Sequence, residues 1–131
     1  MGELDVHSRT FRLASAACPY PFHFRSAADE AVELQLDAYP LGVRSDTIYP
    51  TLETALEPGD RLVFCSDGLI EAANAQEEIF GFERTAETIA QGCRQGLSAE
   101  MLIEHVIGVI KDFAGDVPQE DDMTCMVVRV E

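Results

Sequence analysis

The stretch RLVFCSDG, residues 61–68, decides the fold because it sets a strand directly before an acidic turn. Its apolar centre LVFC does not alternate with polar residues, which is typical of a strand covered on both faces. The preceding turn EPGD, residues 57–60, carries proline and glycine at the positions that a β-turn favours. The sequence therefore predicts a central strand that ends with Asp67 and Gly68 at one edge of a sheet.

A second strand that is apolar on both faces is predicted for MTCMVVRV, residues 123–130. Two helices are predicted between these strands, because apolar or small residues recur with the same helical spacing from Phe82 and again from Leu102. An antiparallel helix pair returns the chain to the edge at which the first strand ended. We therefore expect the two strands to be antiparallel, with Asp67 and the pair Asp121-Asp122 at the same edge.

The first half of the chain predicts shorter strands joined by irregular connections. Residues 3–7 and 10–17 are interpreted as a hairpin, and residues 20–24 as an edge strand or a short strand because Pro19 and Pro21 interrupt it. Further short strands are predicted at 32–36 and 52–55. The elements together predict an α+β domain with antiparallel sheets and an antiparallel helix pair.

Composition excludes several classes of protein. The chain has 131 residues, 47% of them hydrophobic, and 24 Asp and Glu against 9 Lys and Arg, giving a net charge of −15. This apolar content predicts a single globular domain, and the charge argues against nucleic acid as a partner. Neither a membrane-spanning run nor a secretory signal is recognised, so the sequence predicts a cytoplasmic protein without membrane insertion. The four cysteines form no CxxC pair and are interpreted as small buried hydrophobic residues.

Clustered carboxylates without compensating cations repel one another, and a hard divalent cation such as Mg²⁺ or Mn²⁺ relieves that repulsion. The sequence alone leaves alternatives open for each acid, since Asp67 could cap a turn and Asp121 or Asp122 could be solvated. An EF-hand is excluded because residues 116–122 lack its alternating acids and central glycine. No glycine-rich phosphate loop, GxSxG elbow or catalytic triad is indicated.

Three segments together resemble the PPM-type metal-dependent serine/threonine protein phosphatases, and most closely their bacterial SpoIIE and RsbU branch. These are LEPGD at 56–60, RLVFCSDGLIEAANAQEEIFG at 61–81 and QEDDMTCMVV at 119–128. The turn Pro40-Leu41-Gly42 and the segment ASAACP at 14–19 are also similar to family motifs. In the latter segment, Ala17-Cys18 stands where the family has Gly-His.

The resemblance implies an α/β/β/α sandwich in which Asp67 and Asp121 bind two Mn²⁺ or Mg²⁺ ions. Asp122 occupies a more variable ligand position, and Gly68 allows the backbone to approach closely. In this family the metals activate a water that attacks the phosphorus of phosphoserine or phosphothreonine. The implied partner is a phosphorylated regulatory protein, of the type of an anti-sigma-factor antagonist. Glu71 and Asn74 also fit the family pattern and are interpreted as structural.

The family's bridging GGD-type aspartate and its DVxGHG stretch do not occur in the sequence. We therefore expect the C-terminal part of a phosphatase domain, truncated at its N-terminal side and inactive as an isolated fragment. We also expect exposed apolar sheet surface, covered by a second copy in a homodimer or higher oligomer. A non-catalytic interaction module derived from the phosphatase fold remains the alternative.

Overall fold

A computed structural model describes residues 1–131 as seven strands and three helices. The strands are β1 (Gly2–Asp5), β2 (Thr10–Ala14), β3 (Phe22–Arg25), β4 (Glu30–Glu33), β5 (Thr51–Ala55), β6 (Arg61–Cys65) and β7 (Cys125–Arg129). The helices are α1 (Asp67–Ile70), α2 (Gly81–Arg94) and α3 (Ala99–Ala114). All strand pairs are antiparallel, in a three-stranded sheet of order β1-β2-β5 and a four-stranded sheet of order β4-β3-β6-β7.

The elements form three layers with two hydrophobic cores. One core lies between the four-stranded sheet and the pair α2 and α3, where Val63 meets Ile89 and Val106. The other lies between the two sheets and includes Phe11 and Leu62. The α+β class, the antiparallel sheets and the helix pair are confirmed. Both faces of β6 are covered, which agrees with the apolar run in its sequence that does not alternate with polar residues.

The outer face of the three-stranded sheet is polar in this structure. Arg12 on β2 lies between two acids on the neighbouring strands, 2.9 Å from Glu53 and 3.9 Å from Glu3. Such cross-strand charge pairs suit a solvated face. The exposed apolar surface that we expected therefore does not lie on this outer face, and the large exposed apolar residues of β1 and β7 lie at the sheet edges instead.

Helices α2 and α3 contain the two apolar repeats that predicted them. Ser98 caps α3, because its Oγ accepts a hydrogen bond from the Met101 N–H at 3.2 Å. The turn between α2 and α3 contains Gly96 with a φ of 71°, a conformation that glycine adopts without strain. None of the helices is both long and apolar enough to cross a membrane.

The interpretation of residues 20–24 needs correction in one respect. Strand β3 is short, as expected, but it lies inside the four-stranded sheet between β4 and β6. Both prolines precede the strand, so their missing N–H groups do not interrupt its pairing. The Pro21 carbonyl even accepts the Leu34 N–H at 2.8 Å, which extends the contact with the chain after β4.

Candidate functional site

Asp67 lies in the first turn of the short helix α1, immediately after β6 ends at Cys65. Its side chain is exposed, and its Oδ1 accepts the Gly68 N–H at 3.0 Å. The sequence predicted a turn at this point, whereas the structure shows a single helical turn. A carboxylate in the first turn interacts favourably with the N–H groups that a helix leaves unpaired.

Ser66 joins the two acidic segments of the chain. Its backbone N–H donates to the Thr124 carbonyl at 2.9 Å, and its Oγ accepts the Thr124 N–H at 2.9 Å. The same hydroxyl donates to the Asp122 carbonyl at 3.0 Å. Sequence reasoning gave Ser66 no role, although a hydroxyl directly before the acid was a usable signal. We call this set of hydrogen bonds between Ser66, Asp122 and Thr124 the Ser66 clamp.

Gly68 is buried against the backbone of the second acidic segment. A Cβ at this position would lie 2.4 Å from the Asp122 carbonyl oxygen and 3.3 Å from the Asp121 carbonyl carbon. Only a residue without a side chain fits this approach without a shift of the backbone. The close backbone approach that the family resemblance implies for Gly68 is therefore present, and the approaching backbone is that of Asp121 and Asp122.

Asp121 and Asp122 lie in the exposed segment that leads into β7. The Oδ1 of Asp121 accepts the Asp122 N–H at 2.8 Å, and the Asp121 carbonyl accepts the Gln119 side-chain amide at 2.8 Å. The predicted antiparallel arrangement of the two strands is confirmed by the direct pairing of β6 with β7. The structure thus brings the segments of Asp67 and Asp121 to one edge of the sheet.

These carboxylates do not form a complete metal centre within the 131 residues. No group of three or more His, Cys, Asp or Glu side chains is arranged to hold an ion. Asp67 and Asp121 each use one oxygen to accept the N–H of the next residue. The residues present therefore supply oxygen ligands of the right chemical type, but they are too few to hold a metal ion tightly.

A cleft of about 570 Å³ lies beside this edge, between α1, the end of α3 and the segment before β7. It is lined in part by Glu71, Glu120 and Asp121, and Lys111 is its one cationic residue. Lys111 is also the single lysine of the chain, and the sequence analysis assigned it no role. Asn74 holds the loop after α1, since its Oδ1 accepts the backbone N–H groups of two later residues at 3.0 Å.

Two cysteines lie directly behind the acidic edge. Cys65 and Cys125 are direct partners across β6 and β7. The neighbouring Cys125 thiol, together with burial, raises the pKa of Cys65. The neighbouring Cys65 thiol lowers the pKa of Cys125, and this effect outweighs the burial of Cys125.

A family model described as "Stage II sporulation protein E (SpoIIE)" matches residues 1–131 of the chain. Stage II sporulation protein E of Bacillus subtilis (strain 168) is 27% identical over 109 residues. That match covers 82% of this chain and 12% of the relative.

Solved structures with the same fold include the SiaA-PP2C domain of Pseudomonas aeruginosa, with 25% identity and a TM-score of 0.82. The superposition covers 98% of this chain and 49% of that one. The RsbU and RsbW domains of Rv1364c from Mycobacterium tuberculosis are 26% identical with a TM-score of 0.79, over 96% of this chain and 34% of that one. The chain thus spans half or less of the length of each of these proteins.

Proposed function

The chain belongs to the SpoIIE family, and from this premise we propose that it is part of a metal-dependent protein phosphatase domain. The proposed reaction is hydrolysis of phosphoserine or phosphothreonine on a regulatory protein of the anti-sigma-factor-antagonist type. Support comes from the family match over residues 1–131 and from the likeness to the SiaA-PP2C domain. The solved structures also include RsbU and RsbW domains, whose presence in one protein supports a regulatory protein partner.

The observation that carries the proposal is the Ser66 clamp together with the close approach of Gly68. These contacts hold Asp67 and Asp121, the two residues that match the family's ligand positions, at one edge of the sheet. We propose both as metal ligands, with Asp122 as a weaker candidate. Their side chains are exposed, so both remain accessible to an ion.

Asp67 and Asp121 would hold Mn²⁺ or Mg²⁺, and such an ion would supply an activated water as the nucleophile for the phosphorus. The 131 residues supply no third converging ligand, so we propose that a carboxylate from outside them completes the site. The chain would then be the C-terminal part of a longer domain. We expect the isolated chain to hydrolyse no phosphoester.

Metal binding by the isolated chain tests the ligand assignment. We expect weak Mn²⁺ binding in a calorimetric titration, with an affinity about tenfold lower in Asp67→Asn because a ligand carboxylate is lost. Asp112→Asn is the matched control, since it removes an exposed carboxylate of α3 that does not line the cleft at the sheet edge. Equal binding by both variants would refute the assignment of Asp67.

Hydrolysis is tested with a chimera in which residues 1–131 replace the matching part of the SiaA-PP2C domain. We expect Mn²⁺-dependent release of phosphate from a phosphoserine peptide, lost in Asp67→Asn and retained in Asp112→Asn. A folded chimera that binds Mn²⁺ through Asp67 but releases no phosphate would favour the non-catalytic interaction module. Release of phosphate by the isolated chain would instead refute only its proposed inactivity.

We further propose that the chain forms a homodimer through the edges of its two sheets. A cavity of about 410 Å³ opens between the sheets at these edges, with mainly apolar walls. Its lining includes Leu4 of β1 and Met126 of β7, which are 42% and 51% exposed. Since β1 and β7 are both edge strands, they offer unpaired backbone groups next to this apolar surface. We call this region the open seam.

A further inference from the structure

The register of the four-stranded sheet brings together two cysteines that are 60 positions apart in the sequence. Cys65 is the last residue of β6 and Cys125 the first of β7, and they are direct partners in the antiparallel pair. Both thiols are free in this structure. The distance between these cysteines in the sequence is therefore no obstacle to a disulfide.

The backbone hydrogen bonds show which kind of pair these cysteines form. Just beyond the ends of β6 and β7, the Ser66 N–H donates to the Thr124 carbonyl and the Val130 N–H donates to the Asp60 carbonyl. Hydrogen-bonded and non-hydrogen-bonded pairs alternate along an antiparallel ladder, so Cys65 and Cys125 form a non-hydrogen-bonded pair. Such pairs have Cα atoms about 4.5 Å apart, within the range of about 4.4–6.8 Å that a disulfide requires.

The two side chains lie on the same face of the sheet, the one that packs against the helices. Cys65 is 8% exposed, whereas Cys125 is partly exposed and can be reached from solvent. Directly opposed residues on one face of an antiparallel pair have Cβ atoms about 4.5–5.5 Å apart, so the two sulfur atoms start close to each other. Little movement is therefore needed to join them.

We propose that Cys65 and Cys125 form a redox-active dithiol that closes to a cross-strand disulfide when it meets a small-molecule disulfide. The thiolate of Cys125 attacks the oxidant and forms a mixed disulfide, and one thiolate leaves. Cys65 then loses its proton and attacks the Cys125 sulfur, which releases the second thiolate. Two protein thiols are oxidised in this sequence, and one disulfide is reduced to two thiols.

The disulfide would fix the strand ends that carry the acidic segments. Cys65 is bonded to Ser66, and Cys125 is bonded to Thr124, so the covalent link lies next to the Ser66 clamp. If the proposed function is correct, formation of the disulfide also affects the geometry of the proposed metal ligands. Formation of the disulfide itself does not depend on that function.

The test treats the native chain with oxidised glutathione and counts the remaining thiols with a thiol reagent. We expect the thiols of Cys65 and Cys125 to be lost together, with one tryptic crosslink between the peptides of these two residues. The midpoint of thermal unfolding should rise by roughly 5–10 °C and return after reduction, because the link closes a long loop of the unfolded chain. A fall in this midpoint would show that the native structure does not accommodate the disulfide.

Variants separate closure of the pair from simple glutathionylation. In Cys65→Ala, the glutathione adduct on Cys125 should accumulate because no second thiol displaces it. Cys93→Ser is the matched control, since Cys93 is also partly buried beside the same core, and its loss should leave the crosslink intact. A stable adduct on Cys125 in the native chain, or a crosslink that involves Cys93, would refute the proposal.

Discussion

At the scale of single residues, the strongest buried polar contact lies away from the acidic edge. His23 Nε2 is 2.7 Å from Asp60 Oδ2, and both side chains are almost fully buried. Asp60 also accepts the backbone N–H groups of Ser26 at 2.9 Å and Glu57 at 3.0 Å. Burial raises the pKa of Asp60, but the hydrogen bonds from Glu57, Ser26 and His23 outweigh it and leave the pKa below its usual value. The hydrogen bonds of this carboxylate therefore connect β3 to the turn before β6.

Replacement of this carboxylate tests how much it stabilises the fold. Asp60→Asn should lower the free energy of unfolding at pH 7 by about 2–4 kcal/mol, because it weakens hydrogen bonds to a buried charge. The pKa of Asp60 is lower in the folded chain, so its stabilisation is present above about pH 4 and disappears as the pH falls through the folded-state pKa. Urea unfolding across the acid range should give a flatter pH dependence for Asp60→Asn, and the exposed Asp112→Asn should follow the native chain. Parallel curves for Asp60→Asn and the native chain would contradict this role.

A second feature at the scale of single residues is Ala17, which stands with the next residue where the family has Gly-His. Its φ is 59°, a left-handed conformation that costs a residue with a side chain about 1 kcal/mol. Ala17→Gly should therefore raise the free energy of unfolding by about 0.5–1 kcal/mol in urea titrations. Ala16 has no positive φ, so Ala16→Gly should destabilise the chain instead. An equal loss in both variants would show that Ala17 bears no strain.

At the scale of elements, the predictable parts are those with a strong period or a continuous apolar run. Strands β6 and β7 and helices α2 and α3 carry such signals, and the structure confirms them. Helix α1 was missed because four residues show no helical period. Strand β3 was expected as an edge strand or a short strand; it is short but lies inside its sheet, because both prolines precede it.

Residues of the candidate site were predictable only where a single segment of the sequence contains a recognisable motif. Asp67 and Asp121 stand in recognisable motifs, and their strands were expected to end at one edge. The contacts of Ser66 and the position of Lys111 in the cleft depend on segments that lie far apart in the sequence, which no local pattern contains. The same holds for the pairing of Cys65 with Cys125.

The contact between α1 and the segment before β7 gives a prediction at this scale. Gly68→Ala places a Cβ 2.4 Å from a backbone oxygen of Asp122, so the two elements must separate, and the cost should be about 1–3 kcal/mol. Gly108→Ala is the matched control within α3, because no atom lies within 4 Å of its added Cβ. This control should stabilise the chain by about 0.5–1 kcal/mol, as alanine favours a helix over glycine. Urea unfolding of both variants measures the difference, and a stabilised Gly68→Ala would contradict the close packing.

At the scale of the whole molecule, charge and apolar edge surface have opposite effects on self-association. A net charge of −15 makes two copies repel, whereas the open seam favours their contact. Repulsion acts over about 30 Å at 10 mM salt but over only about 8 Å at 150 mM. The proposed homodimer should therefore be weak in dilute buffer and should strengthen as salt is added, which distinguishes an apolar contact from one made by ion pairs.

Two methionines of matched exposure test whether the open seam is the contact surface. Met126 on edge strand β7 is 51% exposed and lines the seam, whereas Met101 on α3 is 53% exposed and does not line it. Met126→Glu should weaken dimerisation at least about tenfold in sedimentation experiments, because it buries a charge without a partner in an apolar contact. Met101→Glu adds the same charge and should change the affinity little. Equal weakening by both substitutions would assign the effect to net charge, and a chain that stays monomeric in high salt would refute the dimer.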